Sequence, residues 1–249
     1  MAPRSGALAP HAPLPEFYGD AATRARWVND LFDASAPDYD RVSEMMSLGG
    51  GRRYRREALV RGGLRPGMRV LDVATGTGLV AAAALQAGIA PADLVGLDPS
   101  RGMLEQNRRR NRVRLVQGRG ERLPFPAAAF DFVVMGYALR HVEDLGALFG
   151  EFRRVLVPGG RALVLEISQP DARLARAVQR FYMKNLVPLL TRVWTRRPEP
   201  ARMMAYYWAT IEGCVPPPTI LDGLVAAGFR ETRRTTAHLA LSDYLAVSP

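Results

Sequence analysis

The sequence predicts an α/β fold in which a parallel sheet is covered by helices on both faces. Three observations lead there. Short apolar runs alternate with segments of helical spacing from residue 68 to residue 168. Those runs are apolar throughout rather than at every second position, as strands buried on both faces must be. A glycine loop joins the first run to the helix after it, the connection at which open α/β sheets hold ligands.

The elements follow in order. Residues 22–34 carry helical spacing, with Trp27, Leu31 and Phe32 on one side. "PDYDRVSEMMSLGGGRRYRREAL" (37–59) reads as helix-loop-helix, broken at Gly49–Gly51. "MRVLDVA" (68–74) is the first strand, and "GLVAAAALQAG" a helix ended by Gly88. "DLVGLD" (93–98) is the second strand, followed by a helix that Ser100 caps. "VRLVQG" (113–118) and "FDFVVMG" (130–136) are the third and fourth strands. "LGALFGEFRRVL" is an amphipathic helix stopped by Pro158, before a fifth strand, "GRALVLEIS" (160–168). The pattern then changes. Residues 171–194 are helical, basic on one side and aromatic-aliphatic on the other, with a break expected at Pro188. "RRPEP" reads as a loop, "ARMMAYYWATIEGC" and "TILDGLVAAGF" as helices, and 230–247 as two closing strands. The expected domains are a disordered Pro/Ala-rich tail over 1–20 and one domain over 21–249, with a helical lid over about 171–210.

Composition narrows the class. At 48% hydrophobic residues the chain buries a substantial core. A single cysteine, Cys214, excludes an internal disulfide framework and a cysteine zinc site, and no metal is expected. The net charge of +10 raises nucleic acid, anionic membrane and acidic substrates as partners. Yet Lys184 is the one lysine among 34 basic residues, which points to coding bias more than to a binding patch. "LVAAAALQAGIA" (79–90) is too short to span a bilayer and the tail lacks a signal-peptide core, so a cytoplasmic protein, at most peripheral to a membrane, is expected.

"VLDVATGTGLVA" carries the most chemistry. A strand ends at Asp72-Val73-Ala74, and Gly76-Thr77-Gly78 leads into a helix whose free N–H groups face the loop. Asp98 closes the next strand, where an acid takes both hydroxyls of a ribose. The loop lacks the lysine of a phosphate-binding P-loop, and Ala81 stands where a dinucleotide fold places its third glycine, though some such folds allow alanine. Asp72 beneath the glycines repels a pyrophosphate but suits an ammonium group. S-adenosylmethionine (SAM) has an ammonium, a ribose and no phosphate.

From about residue 25 to 230 the chain resembles class I SAM-dependent methyltransferases, and within them the family that methylates ubiquinone and menaquinone precursors. The resemblance rests on "FDASAPDYDRVSEMMSLGGGRRYRR", "VLDVATGTG", "GLDPSRGML", "ERLPFPAAAFDFVVMGYALRHV", "FRRVLVPGGRALVLEIS" and "AAGF". It implies a Rossmann-like seven-stranded sheet whose last strand is antiparallel, and SAM as cofactor. The chain departs from the family pattern at named places. Gly51 and Tyr54 stand where the family has His and Trp. Arg119 and Gly120 stand at the adenine block, and Arg140-His141 replaces Arg-Asn after strand four.

The expected cofactor contacts are Asp72, Ala74, Gly76, Thr77, Gly78, Asp98, Pro99, Met103, Arg119, Gly120, Glu121 and Gly136, with Tyr39 closing over the methionine end. His141 is the expected general base, with Arg140 stabilising a phenolate or orienting a water. His238, in a closing strand, is expected to be structural. The expected activity is C-methylation of a small apolar aromatic acceptor, quinol-like or a natural product. An N- or O-methyltransferase of lipids or small molecules, and a non-catalytic scaffold, are the alternatives. Nucleic acid is not an expected partner, because "MGYALRH" lacks the proline-rich block of base-amine methyltransferases. The basic side of 173–202 is read first as a solvated face, with contact to anionic lipid or a partner as the alternative, and a homodimer is compatible with these features.

Overall fold

A computed structural model describes residues 7–47, 49–170, 172–195, 198–237 and 240–249. Seven strands form one sheet in the order β3-β2-β1-β4-β5-β7-β6. They are β1 (Val70–Val73), β2 (Leu94–Asp98), β3 (Arg114–Gln117), β4 (Phe130–Gly136), β5 (Leu156–Ile167), β6 (Arg230–Ala237) and β7 (Leu241–Val247). The first five pair in parallel, and β7 runs antiparallel between β5 and β6, as the resemblance implied.

Helices α4 (Gly51–Arg61), α5 (Leu79–Gln86), α6 (Arg101–Arg110), α7 (Leu145–Val155) and α11 (Pro217–Ala226) flank this sheet, numbered with the cap and lid helices given below. Strand alternation sends successive side chains to opposite faces, and both faces are apolar. Leu71, Val73, Val133, Met135 and Val164 pack against α7 and α11. Val70, Phe132, Val134, Leu163 and Leu165 pack against α4 and α5. Side chains cap two helices as their sequence suggests: Ser100 accepts from the Met103 N–H, and Asp144 from the Gly146 N–H.

A third core lies above the carboxyl ends of the parallel strands. The N-terminal helices α1 (Pro15–Tyr18), α2 (Ala21–Ser35) and α3 (Tyr39–Met46) meet the lid there. The lid consists of α8 (Arg173–Phe181), a π-helical turn (Tyr182–Leu186), α9 (Val187–Thr195) and α10 (Pro198–Glu212). Met203, Met204, Tyr206, Tyr207 and Trp208 of α10 are all buried in this core.

Four expectations change. Residues 8–18, placed in a disordered tail, are packed: the Leu145 N–H donates to the Leu8 carbonyl at 2.9 Å, the Val215 N–H to Pro10 at 2.8 Å, and His11 is buried. These backbone bonds satisfy groups that would otherwise be orphaned at the domain surface. Pro188 does not break its helix. It lacks an N–H and crowds the carbonyl four residues back, and the π-helical turn just before it widens the helix instead. Strand β5 begins at Leu156, four residues before the expected start, and "RRPEP" is not all loop, since α10 starts at Pro198. His238, Arg196, Arg197 and the side chain of Trp194 lie outside the described residues.

Candidate active site

The sheet order reverses between β1 and β4, and the site opens at the carboxyl ends of these strands. After β1 the chain turns through Ala74 (φ 54°), Gly76 (φ 55°) and Gly78 (φ 85°) into α5. A Cβ on Gly78 would lie 2.2 Å from Asn111 and 2.4 Å from Asn107, so glycine alone lets the loop seat on α6. Asn107 donates to the Thr75 hydroxyl, and Asn111 to the Gly78 carbonyl, which fixes the turn.

Asp98, at the end of β2, is held by two backbone donors: Gly76 N–H to Oδ2 and Ser100 N–H to Oδ1, both at 2.8 Å. Burial pushes its carboxyl up to about 6 against these two bonds. Each oxygen keeps a lone pair for a hydroxyl donor, the arrangement a ribose needs.

A cavity of about 370 Å³ opens over this loop. Its walls include Tyr39, Ala74, Gly76, Asp98, Pro99, Met103, Arg119, Gly120, Glu121, Gly136 and His141, so eleven of the expected residues meet around one space. Asp72, Thr77, Gly78 and Arg140 are not in its walls. Asp72 is fully buried and accepts from the Thr75 hydroxyl at 2.6 Å, while its Oδ1 has no partner. Burial raises its carboxyl to about 7. It lies beneath the loop rather than in the cavity wall. The Thr77 hydroxyl is committed to Asp40, which ties the glycine loop to α3.

The Arg140-His141 pair divides. Arg140 is fully buried, pairs with Glu166, donates to the Thr210 hydroxyl and lies 4.4 Å from the Tyr207 ring centroid. A desolvated cation needs such partners, and they hold it away from the cavity as a brace between β5 and α10. His141 does reach the cavity. Its ring stacks on Tyr206 at 5.4 Å and meets Phe32 and Tyr207 edge-on or tilted at 5.2 and 5.3 Å. Neither ring nitrogen has a hydrogen-bond partner among the described residues. Desolvation, then the charges of Arg140 and Arg24, hold its pKa well below the usual 6.5, so the imidazole is neutral. A depressed pKa weakens it as a base, which counts against the expected role.

Arg119 pairs with Glu121 and Glu143 at the rim. Its guanidinium is thus committed to carboxylates at the block where the family offers an adenine acceptor.

A second cavity of about 420 Å³ lies behind the first. It is mainly apolar, lined by Val42, Met46, Ile167, Met183, Met203, Met204 and Leu241. Tyr39, Tyr137 and Tyr207 line both spaces and form the partition between them. The Tyr39 and Tyr207 hydroxyls bond at 2.8 Å. Tyr137, just past β4, has φ 61°, a left-handed conformation costly for an aromatic residue and common where a site over-determines the backbone. The sequence reading missed Tyr137 as a site residue, and its only signal was its place one residue beyond a strand end. Tyr207 lay in the predicted helix "ARMMAYYWATIEGC", with nothing in that spacing to mark it as a wall of two cavities.

The chain matches the ubiE/COQ5 methyltransferase family over residues 20–231. It is 37% identical over 220 residues to a demethylmenaquinone methyltransferase of Symbiobacterium thermophilum, covering 84% of this chain and 87% of that protein. It is 32% identical over 223 residues to a ubiquinone/menaquinone biosynthesis C-methyltransferase of Shewanella putrefaciens, covering 87% and 88%. Among solved structures, a SAM-dependent methyltransferase of Thermotoga maritima shares the fold with a TM-score of 0.63 at 19% identity, over 89% of this chain and 99% of that one. A phosphoethanolamine N-methyltransferase of Haemonchus contortus, solved with SAM, gives 0.58 at 17% identity, over 79% and 52%.

Proposed function

The chain belongs to the ubiE/COQ5 methyltransferase family and is a SAM-dependent methyltransferase, and from that premise we propose that the first cavity holds SAM, the second a reduced quinone ring, and the tyrosine partition aligns the two. One observation carries this reading: two cavities of ligand size meet at Tyr39, Tyr137 and Tyr207, one polar at its floor and one apolar. Asp98 is the group for the ribose, with Pro99 and Met103 beside it for the adenine. Asp72 supplies a negative field under the loop for the ammonium and sulfonium. Bound SAM supplies an electrophilic methyl group.

The protein's own work is positioning and exclusion of water. In-line transfer requires the acceptor carbon to approach along one axis, and such alignment contributes roughly 7–11 kcal/mol. Apolar walls from α3, β5, the π-helical turn, α10 and β7 keep water away from an activated ring. Carbon becomes the nucleophile once a ring hydroxyl loses its proton. His141 lines the SAM side and is held neutral, so we assign it to packing the aromatic wall of that cavity rather than to taking this proton. Family membership favours this reading over the N- or O-methyl and scaffold alternatives.

The lid suggests how such an acceptor arrives. Leu174, Val178 and Phe181 lie at helical spacing on α8 and are 78%, 62% and 65% exposed, with Leu189 of α9 at 59%. Arg173, Arg176, Arg180 and Lys184 alternate with them. Gln179, Tyr182 and Met183 of the same segment line the second cavity. No helix among the described residues is long and apolar enough to cross a membrane. We infer that this segment lies on an anionic bilayer surface, where a lipid-tailed acceptor enters the cavity beside it.

The activity test is anaerobic incubation with methyl-labelled SAM and 1,4-naphthoquinol. The expected product carries the label on a ring carbon. Label on oxygen, or no transfer to quinols while another acceptor is methylated, overturns the reading.

A further inference from the structure

The second cavity contains a cation without a counterion. Arg55, on the second turn of α4, is 8% exposed and lines this cavity. Its Nη2 donates to the Ser43 hydroxyl at 3.1 Å, and its guanidinium carbon lies 5.2 Å from the Tyr137 ring centroid. No carboxylate forms an ion pair with it among the described residues. The charged groups near it are engaged elsewhere. Asp243 on β7 accepts from the Tyr54 hydroxyl and pairs with Arg61, whose Nη2 is 2.7 Å away. Asp72 lies beneath the glycine loop, bonded to Thr75.

Leaving a guanidinium desolvated without a partner is costly, and a buried cation is normally paired. Here the surroundings reinforce its charge. Gly50 and Gly51, at the N-terminus of the eleven-residue α4, line the same cavity, and no side chain caps that end. Its free N–H groups add positive potential. Gly51 also makes room: a Cβ there would lie 2.7 Å from Arg55 Nη1 and 2.8 Å from the Ser47 hydroxyl. The glycine and the folded-back arginine therefore belong together. From another helix, Gln179 brings to the cavity wall a buried Oε1 that has no donor among the described residues. A space with an unpaired cation and an unpaired acceptor is built for a ligand bearing an anionic oxygen and an O–H group.

We propose that Arg55 is the oxyanion-binding residue of the acceptor cavity, holding the ionised ring oxygen of a phenolic or quinol acceptor beside the tyrosine partition. The phenols around it do not compete as anions. Burial raises Tyr39, Tyr54, Tyr137, Tyr182 and Tyr207 above the usual tyrosine value. A cation over the acceptor oxygen favours its ionised form, so the proton leaves to solvent before the ring is sealed in, and the ring carbon gains electron density. This assignment rests on the acceptor reading above, which naphthoquinol methylation tests separately.

The probe is 1-naphthol bound to the full chain saturated with S-adenosylhomocysteine, its ionisation followed by absorbance across pH. Naphthalene is the neutral control. Wild type is expected to bind naphthol with an apparent pKa about one to three pH units below that of free naphthol. Arg55→Met should abolish that depression while still binding naphthalene, and Arg55→Lys should retain part of it. Gly51→Ala, which displaces the guanidinium without removing it, should reduce it, and serves if Arg55→Met fails to fold. An undiminished depression in Arg55→Met, or in Gly51→Ala if Arg55→Met does not fold, overturns the assignment. So does parallel loss of naphthol and naphthalene binding in a folded variant, which would make Arg55 a packing residue.

Discussion

His141 shows how a residue's neighbours set its chemistry. An imidazole between Phe32, Tyr206 and Tyr207, with Arg140 next in the chain, is expensive to protonate. Because the folded value is depressed, the unfolded chain takes up a proton at 6.5 while the native state does not. Stability therefore falls as pH drops through 6.5, with a slope that approaches about 1.4 kcal/mol per pH unit for this one group once the unfolded imidazole is fully protonated. Asp98 and Asp72, raised to about 6 and about 7, act in the opposite direction. Comparing wild type with His141→Phe cancels them. Urea unfolding should show the stability difference, wild type minus variant, growing more negative by about 1 kcal/mol from pH 6.5 to 5.5, where the unfolded imidazole goes from half to mostly protonated. A flat difference would mean His141 protonates in the native state. The sequence placed His141 just after strand four, and the structure puts its ring in the wall of the first cavity. It did not show the ring's cage, which comes from α2 and α10, more than a hundred residues before it and some sixty-five after.

At the scale of elements, the strands were legible because their signal is local. Apolar residues on both faces dominate β1, β2, β4 and the second half of β5, the pattern of twice-covered strands. The lid was harder. Its apolar residues divide between the cap core, the cavity wall and solvent, and one helical stripe does not say which is which. Leu174, Val178 and Phe181 read like core residues yet lie outside it. If this face meets an anionic bilayer, wild type should float with phosphatidylglycerol vesicles and much less with phosphatidylcholine vesicles. Leu174→Ser/Val178→Ser/Phe181→Ser should abolish flotation while leaving SAM binding, measured by calorimetry, unchanged. Equal binding to both vesicle types would remove the electrostatic argument. A wild-type dimer that the triple variant converts to monomer would instead make the face a contact between two copies.

Across the whole molecule, the first cavity is assembled from the N-terminal cap, the ends of four strands and the lid. Arg24, Asn29 and Phe32 of α2 face Asp98 and Ser100 across it, and Tyr207 closes it from α10. A ligand bound there is linked to folding of all these parts at once. At a hundred times its dissociation constant, SAM should stabilise the native state by about 2.7 kcal/mol. For a chain of this size that is a rise in Tm of about 5–11 °C. Differential scanning calorimetry checks it, and Asp98→Asn should remove most of the rise. A rise confined to one of two separable transitions would show that the cap and lid unfold independently of the sheet.

The sequence by itself determined the alternating sheet, the glycine loop, the acid at the end of β2 and hence the cofactor class. Each of these depends on residues adjacent in the chain, where spacing and steric rules act directly. The tertiary structure alone decided that Arg140 is a brace while His141 faces the cavity, and that three tyrosines from α3, the end of β4 and α10 divide one space into two. It also decided that Arg55 has no carboxylate partner among the described residues. Those facts depend on what distant segments bring together, and on how much water they exclude, which no local pattern encodes.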